Sequence, residues 1–184
     1  NCYNYGGVFA LCHQIGLDVK TIVQALQTFN NVPGRLERYI LPNNALCFID
    51  YAHNPSSYES VLSTVRTLTH QLIVVCGAGG DRDKTKRPQM ASVATQYADH
   101  VIFTIDNPRS ENPTTIINDM IAGITHTKHN HSIELDREQA IKNAYALSNA
   151  GSIIMLLGKG PDNYQLIGDQ KIYFNEREII STFF

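Results

Sequence analysis

Long apolar runs are missing from this sequence, and so is an excess of positive charge. No run reaches the roughly 18 apolar residues that a membrane-spanning helix needs, so we expect no transmembrane segment. Lysine and arginine number 15 against 17 aspartates and glutamates, which gives a net charge of -2. That balance argues against a protein that binds the phosphate backbone of nucleic acids, because such proteins need a basic face.

The first four residues, Asn1-Cys2-Tyr3-Asn4, contain neither a basic region nor a hydrophobic segment, so we expect no signal peptide. They also lack an initial methionine, and we expect the chain to be part of a longer protein. Cysteine is scarce, with residues at positions 2, 12, 47 and 76 and no C-x-x-C pair. Cys47 and Cys76 lie in apolar, strand-like runs, which favours reduced, buried thiols in a cytoplasmic protein.

What the sequence does contain is enough apolar side chain for a core, with 43% hydrophobic and 17% charged residues. Its 184 residues are typical of one domain with an appendage. Two short helices are predicted first, over residues 5–15 and 18–29. Residues 30–34 include Asn, Pro and Gly and mark a break. We therefore place a domain boundary between residues 1–32 and residues 33–184.

After this break, short apolar strands alternate with amphipathic helices. Strands are predicted over 46–49, 72–76, 101–105, 132–135 and 152–157, and helices over 55–69, 88–98, 113–123 and 136–149. Residues 171–174 are predicted as a late edge strand and 176–182 as a final helix. This alternation is typical of a mostly parallel sheet that helices cover on both faces. We therefore predict an α/β, Rossmann-like fold, in which ligands bind beyond the carboxyl ends of the strands.

Charged, glycine and proline residues follow the predicted strands. The loops read Asp50-Tyr51-Ala52-His53-Asn54-Pro55, Gly77-Ala78-Gly79-Gly80-Asp81-Arg82-Asp83, Asp106-Asn107-Pro108-Arg109 and Gly158-Lys159-Gly160-Pro161-Asp162. Because the carboxyl ends of parallel strands meet at one edge of a sheet, these loops are predicted to share one rim.

Two interpretations of the glycine loop at 77–80 stay open. Its backbone amides can bind an anion at a helix start, or the loop is only a tight turn. The G-x-G-x-x-G fingerprint of dinucleotide-binding proteins would need glycine at position 82, where Arg82 stands. Asp106 lies about where a ribose-binding acid would lie, so a nicotinamide-dependent oxidoreductase remains an alternative.

The loop from Asp106 to Arg109 combines a carboxylate, an amide, a rigid proline and a guanidinium. Pro108 fixes the backbone angle φ, and the planar fork of Arg109 matches a carboxylate with two hydrogen bonds. A surface turn is the alternative interpretation. In the charged run 81–84, a binding role for Arg82 likewise competes with a solvated surface.

Two further patterns in the sequence resemble ligand sites. Residues 158–160 resemble part of a phosphate loop, but G-x-x-x-x-G-K-[ST] is absent from the sequence, so the chain cannot supply the usual cradle for ATP phosphates. His126, His129 and His131 form a possible metal cluster, yet no cysteine or carboxylate completes a ligand set. We favour a solvated loop there and expect no metal site.

Taken together, six segments of the chain resemble the Mur ligase family. They are Val32-Pro33-Gly34-Arg35-Leu36-Glu37, Asp50-Tyr51-Ala52-His53-Asn54-Pro55, Gly79-Gly80-Asp81-Arg82-Asp83-Lys84, Asp106-Asn107-Pro108-Arg109, Gly158-Lys159-Gly160 and Tyr164-Gln165, in family order. The branch that they resemble most adds meso-diaminopimelate to UDP-N-acetylmuramoyl-L-alanyl-D-glutamate.

The resemblance implies an ATP-dependent reaction of bacterial, cytoplasmic peptidoglycan precursor synthesis. ATP converts a substrate carboxylate into an acyl phosphate, which the incoming amine attacks. Residues 1–32 resemble the last helices of a central ATPase domain, and residues 33–184 resemble the C-terminal domain. The UDP-substrate domain, the ATP phosphate loop and the main Mg²⁺ ligands would precede residue 1, so we expect the isolated chain to be inactive.

The resemblance also implies roles for individual residues. Arg82, Asp106, Asn107, Pro108, Arg109, Gly158 and Asp162 match the diaminopimelate pocket, and Arg35, Asp50, His53 and Asn54 match the contribution of this domain to the nucleotide site. No catalytic residue and no metal ligand is assigned to this chain.

Selectivity for the amino acid depends on two loops. Diaminopimelate differs from lysine by a second carboxylate, for which Arg109 is the natural partner, and lysine-adding relatives resemble this loop without that arginine. The family usually reads Gly-Lys-Gly-His-Glu, where this chain has Pro161 and Asp162. Asp162 keeps a negative charge for the distal ammonium but is shorter. A sister ligase for lysine or another amino acid therefore remains an alternative, as does a non-catalytic module that binds a partner.

Overall fold

The computed structural model describes residues 2–29, 32–124 and 130–184. It divides the chain into two compact units, residues 1–32 and residues 33–184. No helix among the described residues is both long and apolar enough to cross a membrane.

The first unit consists of two helices, α1 (Cys2–Gln14) and α2 (Val19–Thr28). Asp18 caps α2, because its carboxylate accepts a hydrogen bond from the Thr21 backbone N–H at 3.1 Å. Ile22 is the buried residue of α2. The two predicted helices are therefore present, and α1 begins three residues earlier than its sequence pattern indicated.

The second unit is built on a six-stranded sheet with the order β1-β2-β6-β3-β4-β5. Its strands are β1 (Glu37–Ile40), β2 (Leu46–Asp50), β3 (Leu72–Cys76), β4 (His100–Phe103), β5 (Asn130–Ile133) and β6 (Ile153–Leu157). β1 and β2 are antiparallel, and the other neighbouring strands are parallel. All residues of β3 and β6 are buried, which is why their sequences are uninterrupted apolar runs.

Helices cover both faces of this sheet. They are α3 (Pro55–Arg66), α4 (Lys86–Tyr97), α5 (Pro113–Ile121), α6 (Arg137–Leu147) and α7 (Glu176–Ser181). Successive residues of a strand point to opposite faces. Val74 accordingly belongs to the hydrophobic cluster that contains α3, α4 and α5, and Val75 belongs to the cluster that contains α6 and α7. The predicted α/β class, with a mostly parallel sheet between two helical layers, is confirmed.

Local sequence signals fix several helix starts. Asn54 and Ser57 form a capping box at α3, in which the Asn54 side chain accepts from the Ser57 backbone N–H at 2.9 Å. Pro55 follows in the first turn, where its missing N–H costs no helical hydrogen bond. Asp136 caps α6 in the same way, through the Glu138 backbone N–H at 2.9 Å.

The late strand predicted at 171–174 is present and begins one residue earlier, but it is not an edge strand of the main sheet. β8 (Gln170–Tyr173) pairs with β7 (Tyr164–Ile167) as an antiparallel hairpin that is separate from the main sheet. Gly168 lies in its two-residue turn with φ of +57°, a value that favours glycine. All residues of β8 are exposed, so it has no buried face with which to extend the main sheet.

Two strands of the main sheet also differ from the prediction. β1 was missed, because its four residues alternate between half-buried and exposed at the sheet edge instead of forming an apolar run. β5 begins at Asn130, two residues before the predicted strand 132–135. In the described sheet it pairs with β4 alone, so β5 is the edge strand opposite β1.

Both cysteines of the central strands are free and buried, as predicted. Cys47 lies in β2 and Cys76 in β3. Burial raises the pKa of Cys76 to about 12, so its thiol stays protonated and unreactive at neutral pH.

Close packing at the end of β3 leads to a prediction about stability. A Cβ atom at Gly77 would lie 2.2 Å from the Thr104 carbonyl oxygen, inside the contact distance of backbone atoms. We expect Gly77→Ala to lower the free energy of unfolding by about 1–3 kcal/mol, the usual cost of overpacking. Gly7→Ala is the matched control, since a Cβ atom there meets nothing within 4 Å. Urea unfolding measures both, and equal stability of the two variants would contradict this account.

Candidate functional site

Four loops meet at the carboxyl edge of the parallel strands β2, β3, β4 and β6. Together with the hairpin β7–β8 they enclose a cleft of about 440 Å³, which we call the rim cleft. Among the residues predicted for the amino-acid pocket, its walls contain Arg82, Asp106, Asn107, Arg109, Gly158 and Asp162. Pro108 is not in the wall; it is buried behind it.

The loops that follow β3 and β4 are fastened to each other. The Gly80 backbone N–H donates to the Asn107 carbonyl oxygen at 2.9 Å, and Arg109 donates from Nη1 to the Gly80 carbonyl oxygen at 2.7 Å. A Cβ atom at Gly80 would lie 1.8 Å from the Pro108 carbonyl oxygen, so only glycine permits this approach. The glycine loop therefore packs closely against the loop that follows β4, and these two loops form adjoining walls of the cleft.

The Arg87 side chain links these two loops to each other. Its side chain is completely buried and forms a two-pronged ion pair with Glu111, at 2.8 and 3.0 Å, and a further one with Asp119 at 2.8 Å. It also donates to the Gly79 carbonyl oxygen at 3.2 Å. The hydrogen bonds from Arg87 lower the pKa of Glu111 to about 2. Glu111 in turn accepts from the Asp81 backbone N–H at 2.6 Å, which fixes the turn before Arg82.

Arg109 is anchored through its backbone to the hairpin β7–β8. Its N–H donates to the Leu166 carbonyl oxygen at 2.9 Å, and its carbonyl oxygen accepts from the Gly168 N–H at 2.7 Å. Its φ is +51°, a left-handed conformation held by these two bonds. Only Nη1 of the guanidinium donates to described residues, so the rest of the fork is open to a ligand of the cleft.

Asp106 and Asn107 surround a buried lysine. Lys159 is completely buried, and its Nζ lies 3.1 Å from Asp106 Oδ1, 3.1 Å from Asn107 Oδ1 and 2.7 Å from the Tyr164 carbonyl oxygen. The contact with Asp106 is an ion pair by distance, but its direction is poor for a hydrogen bond, and Oδ1 accepts none from the described residues. Lys159 therefore points into the protein and is not offered to a phosphate.

Gly158 and Asp162 form the opposite wall. Gly158 has φ of +109°, and a Cβ atom there would lie 3.2 Å from Asp106 Oδ2. Asp162 is half-buried, and its backbone N–H donates to the Lys159 carbonyl oxygen at 3.0 Å, which closes the turn through Pro161. Burial raises the pKa of Asp162 above its ordinary value, although the charge of Lys159 acts in the other direction.

The residues predicted for the nucleotide are only partly brought together. His53 lines the rim cleft, with Nδ1 2.8 Å from the Tyr51 carbonyl oxygen. Arg35 is exposed, with its guanidinium 5.4 Å from the centre of the Tyr51 ring. Asp50 and Asn54 lie outside the cleft wall, the latter as the cap of α3.

Asp50 braces the loop that carries His53. Its two carboxylate oxygens accept from the Leu36 N–H at 2.9 Å and the Ala52 N–H at 2.8 Å. It therefore ties the segment that contains Arg35 to the end of β2. A carboxylate that accepts backbone hydrogen bonds in this way is held in a single orientation.

Several residues of the site were missed by sequence reasoning. Lys86 and Met90 line the cleft but lie in none of the quoted segments. Tyr51 and Tyr164 line it too; they lie in quoted segments but were not predicted as site residues. Gln165 donates to the Asp106 carbonyl oxygen at 3.3 Å, which gives a structural role to one of the quoted motif residues. Tyr164 and Gln165 also lie in β7, a strand that was not predicted.

The histidine cluster stays outside the site. His126 and His129 lie outside the described residues, and His131 is an exposed residue of β5 that contacts the Phe103 ring. Within the described part of the chain, no group of three or more His, Cys, Asp or Glu residues is placed to hold a metal ion.

The charges of the rim cleft favour a ligand that carries both signs. Arg82 and Arg109 offer guanidinium groups, Asn107 offers an amide, and Asp162 offers a carboxylate on the other wall. Guanidinium groups bind carboxylates, and a half-buried carboxylate binds an ammonium group. An amino acid with more than one charged end fits this arrangement.

Comparison with known proteins agrees with this geometry. Residues 34–160 match the family model described as "Mur ligase, glutamate ligase domain". The chain is 43% identical over 180 residues to UDP-N-acetylmuramoyl-L-alanyl-D-glutamate--2,6-diaminopimelate ligase of Geobacillus thermodenitrificans, covering 97% of this chain and 37% of that protein. It is also 43% identical over 187 residues to ligase 1 of that name from Clostridium acetobutylicum, covering 100% of this chain and 38% of that protein.

A solved structure of a protein with this name has the same fold. It superposes with a TM-score of 0.78 at 35% identity, covering 95% of this chain and 36% of that one. The chain thus spans little more than a third of the length of these relatives. These matches exclude the oxidoreductase alternative. Arg82 agrees with this conclusion, because it stands where the G-x-G-x-x-G fingerprint needs its third glycine. From the matched domain, the coverage and the shared fold, this chain belongs to the Mur ligase family.

Proposed function

We propose that this chain is the amino-acid-binding part of an ATP-dependent ligase that adds meso-diaminopimelate to UDP-N-acetylmuramoyl-L-alanyl-D-glutamate. Residues 33–184 form the C-terminal domain, and residues 1–32 end the central ATPase domain. The names of the relatives support the substrate, and the mixed charges of the rim cleft support the binding role. The buried, free thiols of Cys47 and Cys76 fit a reaction in the bacterial cytoplasm.

The chemistry divides between this chain and the preceding domains. ATP supplies the activation of the substrate carboxylate as an acyl phosphate. From the resemblance to the family, we assign the main ligands of the Mg²⁺ that accompanies ATP to the central domain, upstream of this chain. What this chain contributes is the fixed position of the amino acid, whose amine must reach the acyl carbon. Holding two reactants in register in this way removes much of the entropic barrier to their reaction.

The observation that carries the proposal is the arrangement of Arg109. Its backbone is fixed by the hairpin β7–β8, and its guanidinium keeps donors open toward the cleft. Diaminopimelate brings a distal carboxylate to such a fork, whereas lysine would leave the guanidinium unpaired. Asp162, on the opposite wall, is the partner for the distal ammonium. The sister ligase that adds lysine is the second candidate, favoured by the shorter Asp162 side chain.

The first test of this proposal is Arg109→Ala in the full-length enzyme. The change removes a charge-assisted contact worth about 1.5–3 kcal/mol, so kcat/KM for diaminopimelate should fall tenfold to a few hundredfold. Lysine should lose far less, because it has no distal carboxylate. Arg38→Ala is the matched control, since Arg38 is an exposed residue of β1 outside the cleft. Wild type that prefers lysine, or an equal loss for both amino acids, would contradict the proposed selectivity.

A second test concerns Asp50 and the nucleotide. Asp50→Ala frees the Leu36 and Ala52 amides and so loosens the loops that carry Arg35 and His53. We expect the KM for ATP to rise by about tenfold or more, since contacts of a charged group are worth roughly 1.5–3 kcal/mol. The KM for diaminopimelate should change much less. Glu138→Ala, which breaks only an exposed ion pair on α6, serves as the control. Steady-state kinetics with unchanged ATP dependence would remove Asp50 from the nucleotide site.

A third test uses the 184-residue chain by itself. Without the G-x-x-x-x-G-K-[ST] motif it should release no ADP from ATP, with or without the UDP-dipeptide and diaminopimelate. Circular dichroism first establishes that the chain is folded. ADP release that depends on both substrates would refute the division of chemistry proposed above.

A further inference from the structure

The Asn107 side chain can take only one orientation in its surroundings. Its Oδ1 accepts a hydrogen bond from the Leu166 backbone N–H at 2.9 Å and another from Lys159 Nζ at 3.1 Å. A backbone N–H and an ammonium are donors only and have no acceptor capacity. Rotating the amide by half a turn would set its NH₂ group against both donors and lose both bonds. The amide oxygen is therefore fixed on the inner side.

The amide nitrogen is left on the other side. Asn107 lines the rim cleft, and its Nδ2 donates to none of the described residues. Asn107 thus presents two N–H donors and no acceptor to a ligand. A carboxylate can accept these donors, whereas an ammonium group cannot.

Lys159 makes one of the two bonds that fix this amide and also contacts the strand that makes the other. It donates to Asn107 directly, and it also donates to the Tyr164 carbonyl oxygen at 2.7 Å, two residues before the Leu166 N–H. The same ammonium is paired with Asp106, which keeps the loop before Asn107 in place. Because Lys159 is completely buried, it cannot itself touch a ligand of the cleft.

We propose that Lys159 is a positioning residue, which locks Asn107 with its amide nitrogen toward the cleft so that this side chain donates to a carboxylate of the amino acid. The inference rests on the proposed function, and it adds a residue that determines selectivity without contacting the substrate. It also explains why the loop after β6 contains a lysine in a position where no phosphate can reach it.

The test is a double-mutant cycle in the full-length ligase, with Lys159→Met, Asn107→Ala and the combined variant. Lys159→Met should raise the KM for diaminopimelate about tenfold or more and leave the KM for ATP within about threefold. In the Asn107→Ala background, the same substitution should change the KM for diaminopimelate by less than about threefold, because the side chain on which it acts is gone. Lys142→Met, at an exposed ion pair of α6, is the matched control.

Asn107→Asp keeps the proposal testable if Lys159→Met does not fold. The aspartate retains both inner hydrogen bonds and adds an ion pair to Lys159, so the variant should unfold no earlier than wild type. It replaces the cleft-facing NH₂ group by an oxygen that repels a carboxylate. The KM for diaminopimelate should therefore rise by about a hundredfold, more than for Asn107→Ala, since repulsion adds to the lost hydrogen bonds.

The outcomes separate this inference from the proposed function. A wild-type enzyme that does not use diaminopimelate overturns both. If wild type uses it, three results overturn the inference alone: equal rises in KM for ATP and diaminopimelate in Lys159→Met, an undiminished effect of that change beside Asn107→Ala, or normal use of diaminopimelate by Asn107→Asp.

Discussion

Three buried cations hold the irregular part of this structure together. Arg87 ties the glycine loop after β3 to the loop after β4, and Arg137 binds Glu176 and the carbonyl oxygens of Leu157 and Ile105. Lys159 joins the loop after β6 to Asp106 and to the hairpin β7–β8. Each cation is buried, so its charge must be balanced by fixed oxygens of the protein instead of water. The loops therefore have little freedom to move independently.

Glycine makes this network possible, because its members approach more closely than side chains allow. Gly80 touches the backbone of Pro108, and a Cβ atom at Gly34 would lie 2.4 Å from the Pro161 nitrogen. The buried ion pairs orient the loops, and the glycines allow neighbouring loops to pack closely against each other. A cleft formed in this way is largely pre-formed, so little conformational entropy is lost when a ligand binds.

The alternation of apolar strands and amphipathic helices predicted the parallel sheet, because it is a local property of the sequence. The polar residues after the strands predicted the rim, because the carboxyl ends of parallel strands meet at one edge. The contact of the hairpin β7–β8 with Arg109 was not visible in this way, since it joins residues more than fifty positions apart. The burial of Lys159 was not predicted for a related reason: lysine is rarely buried, and its partners come from two other segments. Asn54 illustrates the opposite case, where a helix-cap signal and a binding-site signal coincide at one residue. Which of the rim residues contact the ligands remains a prediction.

Pro161 and Asp162, which stand where the family usually has His-Glu, lie next to the same network of buried contacts. Proline lacks an N–H, so position 161 donates no hydrogen bond to this turn. The turn is closed instead by the Asp162 N–H and the Lys159 carbonyl oxygen. Asp162 is thus hydrogen-bonded to the backbone of Lys159, whose ammonium donates to Asn107. The backbone of Arg109 is bonded to the hairpin β7–β8, to which the same ammonium donates. Residue 159 therefore contacts both walls of the rim cleft, through its ammonium on one side and its carbonyl oxygen on the other.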